Sequence, residues 1–224
     1  MSSDGRGATP DLFADPQFAP VGRERLGEQA WVLRGWAREH DAEVFAAVQA
    51  VLADAPLRHM YTPGGQRMAV ATSSCGGLGW TSSAAGYRYL SRDPQSGRAW
   101  PTMPPVFAEL AERAALEAGF ADFAPDTCLV NRYLPGVRLS LHQDRDEQDL
   151  AQPIVSLSLG LPAVFLFGGA TRAERQQPVL LQHSDVLVWG GVDRLRFHGV
   201  RPLRPGWHPL LGEQRINLTF RKAL

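Results

Sequence analysis

The spacing of apolar positions changes character near residue 125. Before it, Val44, Phe45, Val48, Val51 and Leu52 recur at helical spacing between Glu39 and Asp54, ahead of Pro56, which stops the helix. A second helix is predicted from Pro105 to Ala118, with proline in its first turn and Gly119 just past its end. Trp31, Val32 and Leu33 make a short strand candidate. From Thr127 onward come short alternating or apolar runs over residues 128–134, 137–141, 154–159, 164–167, 179–181, 186–189, 195–200 and 215–220, punctuated by Gly and Pro. Eight such runs predict a mainly β domain with flanking helices, folded as a two-sheet jelly-roll sandwich.

Residues 1–20 are rich in Gly, Pro, Ser and Asp and read as a flexible N-terminal arm. Residues 21–124 carry the helical support, and residues 125–224 the jelly-roll core, the two forming one compact unit. Residues 61–103 stand apart because they combine Gly, Ser and Pro with Tyr61, Trp80, Tyr87, Tyr89 and Trp100. Such rings either pack as a satellite core, which their area favours, or present stacking platforms for unpaired bases.

Composition narrows the class. With 224 residues, 44% of them hydrophobic and 21% charged, the chain fits one folded domain able to bury a sizeable core. It has no apolar run long enough for a membrane and no secretory h-region after Met1, so a cytoplasmic location is expected. Cys75 and Cys128 are too few for a disulfide framework. The formal net charge is zero, which argues against a broad non-specific nucleic-acid footprint. Lys222 is the only lysine. A local patch of arginines, which pair with phosphate in two-point fashion, stays open.

The candidate chemistry lies in His142-Gln143-Asp144 and His198. Two imidazoles and one carboxylate are the ligand set of a non-haem iron(II) site with open positions. On a strand, residues 142 and 144 would point to one side. His183-Ser184-Asp185 has the same spacing. It ranks lower, because Asp185 opens an apolar strand and Asp there usually bonds nearby backbone. The final heptapeptide, residues 215–221, alternates Arg215, Asn217, Thr219 and Arg221 with Ile216, Leu218 and Phe220. Alone this is a strand with one wet side; beside a metal set, two guanidinium groups suit a small diacid. His208 reads as a turn residue, and His40 and His59 as surface or capping residues.

Several longer strings carry a resemblance. Thr62-Pro63-Gly64-Gly65, Gly79-Trp80-Thr81, Asn131-Arg132-Tyr133-Leu134-Pro135-Gly136, Leu139-Ser140-Leu141-His142-Gln143-Asp144-Arg145-Asp146-Glu147, the run 153–162, Trp189-Gly190-Gly191 and Arg215-x-Asn217-Leu218-Thr219-Phe220-Arg221 resemble the bacterial AlkB family from about residue 11 to the C-terminus. Arg138 stands where a lysine is familiar, with charge kept.

The resemblance implies a double-stranded β-helix whose residues before about 125 supply a nucleotide-recognition lid. It implies an iron(II)- and 2-oxoglutarate-dependent dioxygenase that uses O2 to demethylate bases such as N1-methyladenine and N3-methylcytosine, releasing formaldehyde and succinate. His142, Asp144 and His198 would hold iron. Asn131, Tyr133, Arg215, Asn217 and Arg221 would surround 2-oxoglutarate, with Arg215 on the remote carboxylate. Trp80 and the His142 ring would sandwich the base, and Asp146 would meet its exocyclic amine. Tyr87, Arg88 and Tyr89 would hold the nucleic-acid backbone, and Arg172 would line the groove. The implied partner is alkylated single-stranded DNA, with double-stranded DNA and RNA left open, and the protein would act as a monomer. Two rivals remain at this point: a hydroxylase of peptides or small molecules, and a non-catalytic jelly-roll binding module.

Overall fold

A computed structural model describes residues 21–224. The N-terminal arm expected over residues 1–20 lies outside them.

Two antiparallel sheets face each other, and helices cover the outer side of the larger one. In chain order the strands are β1 (Gly22–Arg25), β2 (Ala30–Arg34), β3 (Ala71–Gly76), β4 (Gly79–Ser83), β5 (Gly86–Leu90), β6 (Thr127–Tyr133) and β7 (Leu139–His142). They continue with β8 (Ile154–Gly160), β9 (Ala163–Phe167), β10 (Gln177–Leu181), β11 (Val186–Trp189), β12 (His198–Val200) and β13 (Arg215–Arg221). The large sheet runs β1-β2-β11-β8-β13-β6-β3 and the small one β10-β9-β12-β7, while β4 and β5 form a separate hairpin. The eight runs expected after residue 125 correspond to β6 to β13, and the sandwich is the jelly-roll of the expected class. Among the described residues, no helix is long and apolar enough to cross a membrane.

The helices form where the periodicity places them. Helix α1 spans Asp41–Asp54 and buries Val44, Val48 and Val51. A 3-10 turn over Arg38–His40 precedes it, so the α-helix begins two residues later than expected. Helix α2 spans Pro105–Glu117, with Pro105 at its start and Gly119 at φ +94° beyond its end. Both pack on the large sheet, where Phe107, Leu110, Val130, Leu157, Leu218 and Phe220 belong to one buried cluster. A second cluster, including Ile154, Phe165, Phe167, Leu187 and Trp189, fills one end of the space between the sheets.

Strands β1, β3, β4 and β5 give little sign of themselves in the sequence. Strand β3 reads Ala-Thr-Ser-Ser-Cys-Gly, yet five of its six residues are buried, and it closes the edge of the large sheet beside β6. The aromatic-rich stretch splits between its two expected roles. Trp100 is buried and donates Nε1–H to the Leu90 carbonyl at 2.9 Å, whereas Tyr61 and Tyr87 are 53% and 46% exposed.

Candidate functional site

Register brings the two histidines together. Strands β7 and β12 are antiparallel neighbours, and His198 is the direct partner of His142. Strand β7 ends at His142, so Asp144 reaches the cluster from the loop beyond the strand, rather than along its face as the two-residue spacing predicts. One ligand atom from each of His142, Asp144 and His198 lies within 4.8 Å of the others. His142 Nε2 is 3.6 Å from Asp144 Oδ1, and His198 Nε2 is 3.7 Å from Asp144 Oδ2.

Backbone carbonyls orient both rings. His142 Nδ1 is 3.0 Å from the Ser140 carbonyl, and His198 Nδ1 is 3.0 Å from the Arg196 carbonyl. A carbonyl can only accept, so the proton of each neutral ring sits on Nδ1 and Nε2 keeps its lone pair for a metal. Phe165 stacks on His198 with centroids 5.7 Å apart, and Trp189 meets it edge-on at 5.1 Å, walling this ligand from water.

Charge within the cluster is tightly paired. Burial pushes the Asp144 carboxyl up, but Arg221 and the two histidines outweigh it and hold it well below the usual range. Burial draws His198 down, so it favours the neutral, ligating form. Burial also opposes protonation of His142, yet the Asp144 carboxylate beside it tips this ring upward.

The triad lines a cavity of about 730 Å³, whose wall beyond the triad includes Asn131, Tyr133, Arg215, Asn217, Thr219 and Arg221. Alternation along β13 explains this. Ile216, Leu218 and Phe220 enter the core under the helices, and the polar set faces the other sheet. The polar face is interior, since all seven residues are buried, which removes the solvated-strand reading and leaves the one in which the two guanidinium groups face a small diacid. Neighbouring strands add polar groups in register: Arg215 lies opposite Tyr133 and Asn217 opposite Asn131 and Ser158.

Arg215 is 2% exposed, and its Nη2 donates to Ser158 Oγ at 2.9 Å, but Nε and Nη1 have no partner among the described residues. Burial lowers its proton affinity, an effect Tyr133 partly offsets. Burial also pushes the Tyr133 phenol up to about 12. Arg221 donates Nη2 and Nε to Asp144 Oδ2 at 2.7 and 3.2 Å, and its Nη1 has no partner among the described residues. Buried donors without acceptors are costly, and here they line a cavity that a dicarboxylate could fill. The triad offers two imidazoles and a carboxylate in reach of one ion. The residues present therefore fit both iron(II) and 2-oxoglutarate.

The outer rim is the β4–β5 hairpin and the loops facing it. Trp80 stacks on Tyr87 with centroids 5.4 Å apart and donates Nε1–H to Asp146 Oδ2 at 3.1 Å. Trp80, Tyr87, Asp146 and Arg172 line the cavity. Arg172 lies over the Phe197 ring and donates to the Leu141 carbonyl at 2.5 Å. Arg88 is exposed on the hairpin, and the Tyr89 hydroxyl turns inward to donate to Glu147 Oε1 at 2.5 Å. Glu147 and its partner Arg194 have no site role in the sequence reading. Both are buried loop residues, and only the pairing of two buried opposite charges betrays them.

His183 belongs elsewhere. Its Nδ1 accepts from the Gly160 amide at 2.9 Å, and Nε2 faces Asp41 Oδ2 at 2.9 Å, which ties the β10–β11 turn to α1. Asp185 accepts from the Gly35 and Gln182 amides and pairs with Arg34, the turn role expected of it.

A sandwich that places His, Asp and His over a cavity floored by arginines defines an oxygenase architecture. The profile of the 2OG-Fe(II) oxygenase superfamily matches residues 29–221, and the chain belongs to this superfamily. It is accordingly an enzyme that uses iron(II), 2-oxoglutarate and O2. It is 51% identical over 213 residues to the alpha-ketoglutarate-dependent dioxygenase AlkB of Escherichia coli K12, covering 95% of this chain and 97% of that protein. It is 42% identical over 147 residues to the DNA N(6)-methyladenine demethylase ALKBH1D of Arabidopsis thaliana, covering 54% of this chain and 33% of that one. The solved structure of OsALKBH1 superimposes with a TM-score of 0.78 at 28% identity, over 90% of this chain and all of that one.

Proposed function

We propose that this dioxygenase repairs alkylated nucleic acid by oxidative demethylation of bases such as N1-methyladenine and N3-methylcytosine, preferring single strands. The observation that carries this reading is one continuous cavity. The three-ligand cluster and the unpartnered Arg215 donors lie at depth, and a Trp80–Tyr87 platform with the Asp146 carboxylate lies at the mouth.

His142, Asp144 and His198 hold iron(II) by Nε2 and carboxylate oxygens. When bound, iron(II) and 2-oxoglutarate would supply hydroxylation of the methyl carbon by O2, one oxygen atom going to that carbon and the other to succinate as CO2 leaves. Arg215 holds the remote carboxylate of 2-oxoglutarate by its free Nε and Nη1, and Arg221 offers Nη1 toward the end near the metal. Asn131, Tyr133 and Asn217 complete that wall. Trp80 and the His142 ring bracket the base. Asp146 accepts from its exocyclic amine and favours the positive charge that N1 or N3 methylation places on the ring. A lesion that cannot pair is also easily drawn from the stack. The hydroxymethyl product then releases formaldehyde and restores the base nitrogen. Tyr87 and Arg88 meet the nucleic-acid backbone, Tyr89 supports them from behind through its bond to Glu147, and Arg172 meets the groove.

In this reading residues 21–124 form the support and recognition lid, residues 125–224 the catalytic core, and the protein acts as a cytoplasmic monomer. The test is formaldehyde release from an N1-methyladenine oligonucleotide, beside an unmethylated control and Asp144→Ala. Formaldehyde must appear only with wild-type protein, methylated strand, iron(II) and 2-oxoglutarate together. Succinate formed with peptides or small molecules but not with that strand would overturn the proposal.

A further inference from the structure

The chemistry above leaves a buried carboxylate unused. Glu147 Oε2 pairs with Arg194 Nη2 at 3.0 Å, and Oε1 lies 3.3 Å from Arg221 Nε and accepts the Tyr89 hydroxyl at 2.5 Å. Arg194 also donates Nη1 to the Asp144 carbonyl at 2.6 Å and Nε to the Gln152 carbonyl at 2.9 Å. One guanidinium thus ties both ends of the loop that begins at Asp144. Buried ion pairs seldom add net stability over apolar replacements, so stability alone is a weak reason for this arrangement.

We propose that Glu147 is a positioning residue for Asp144, sharing Arg221 with it, fixing its backbone through Arg194, and anchoring the Tyr89 hairpin to the same loop. The inference rests on the iron and 2-oxoglutarate reading of the site.

Arg221 bonds Asp144 Oδ2 through two nitrogens, and a guanidinium so placed draws on the carboxylate that a metal needs. Glu147 on the Nε side gives Arg221 a second anion. Two carboxylates then face two guanidinium groups, Asp144 and Glu147 against Arg194 and Arg221. Without the Glu147 charge, Arg194 would lose its carboxylate partner, Arg221 would bear on Asp144 alone, and a divalent ion beside them would meet surplus positive charge.

The hairpin is held from both sides of the same dipeptide. Asp146 accepts from Trp80 and Glu147 from Tyr89. Asp146 Oδ1 stays open to a base amine while Oδ2 holds Trp80, and the Tyr89–Glu147 bond keeps the hairpin in register over the metal.

The experiment is an oxygen-free titration of the full chain with iron(II) at saturating 2-oxoglutarate, followed by the metal-to-ligand absorbance band. Glu147→Gln should weaken iron(II) binding roughly tenfold or more, the usual effect of removing a group that orients a metal ligand. Tyr89→Phe should keep wild-type iron affinity and raise KM for the methylated oligonucleotide. If Glu147→Gln does not fold, the double variant Glu147→Gln/Arg194→Gln, which leaves no surplus charge at 194, should still weaken iron(II) binding, though less than the single change, since Arg221 then has Asp144 as its one carboxylate partner. Wild-type iron affinity in a folded charge-removed variant overturns this inference while leaving the iron reading intact. Absence of the band in wild-type protein overturns both.

Discussion

His198 lies directly across the β7–β12 pair from His142, with ring centroids 4.4 Å apart, and each ring is held by the carbonyl two residues before it. Strand register, more than local sequence, therefore makes the metal site. One ligand closes β7, another opens β12, and Asp144 is brought in by the β7–β8 loop and held by Arg221.

From this, His198→Ala should lose iron(II) binding and substrate-dependent succinate formation together. His183→Ala should keep both, because that ring bonds Gly160 and Asp41 instead. It should still lower unfolding stability by about 1–3 kcal/mol, the cost of stranding buried partners. Anaerobic iron titration beside urea denaturation separates the two outcomes. Iron loss in the His183 variant would reverse the assignment.

Arg215 makes stability and function oppose each other. Its guanidinium is buried without a carboxylate partner among the described residues, so its charge is poorly compensated until a dicarboxylate binds. Arg215→Met should leave unfolding stability unchanged or raise it, by up to about 3 kcal/mol. The same variant should raise KM for 2-oxoglutarate roughly tenfold to hundredfold, the loss of charge-assisted hydrogen bonds. A destabilised variant with unchanged KM would show that Arg215 is structural.

Gly79 is where the hairpin meets the satellite core. A Cβ there would sit 2.2 Å from Trp100 Cε2, and Trp100 is itself fixed by Leu90. Gly79→Ala should cost about 1–3 kcal/mol in overpacking. It should also raise KM for methylated oligonucleotide through displacement of neighbouring Trp80, a pairing of effects that chemical denaturation and steady-state kinetics resolve. Unchanged values in both would show that Trp100 moves freely.

The sequence disclosed the parts of this architecture whose side chains carry a period. Alternation in residues 215–221 and 128–134 marked β13 and β6, and helical spacing marked α1 and α2, because each buries one apolar face. Strand β3 stayed hidden, because Ala71, Thr72, Ser73 and Ser74 are small and three of the four are polar, although helix α1 and sheet neighbours bury them. Strands β4 and β5 hide for another reason: they pair only with each other, and β5 faces largely outward. At the site, the ligands and arginines were legible as residue types with known coordination and hydrogen-bonding habits. Glu147 and Arg194 were not, since a buried ion pair 47 residues apart has no spacing to read.

His208 provides a pH signature far from the metal. Burial and the neighbouring His183, 4.2 Å away between centroids, pull its pKa down to about 4, while Asp41 works weakly the other way. An unfolded histidine titrates near 6.5, roughly its model-peptide value. Between those values the unfolded chain takes up a proton that the folded chain refuses, so folding is disfavoured as pH falls through this window. The stability is fully present above about 6.5 and is lost toward pH 4; the half-buried ring keeps the change modest. His208→Gln should therefore lose less stability than wild type between pH 7 and pH 5, read as a smaller shift in the urea midpoint. Parallel shifts in the two proteins would mean that His208 titrates freely, and that its contact with His183 does not exclude the charged form.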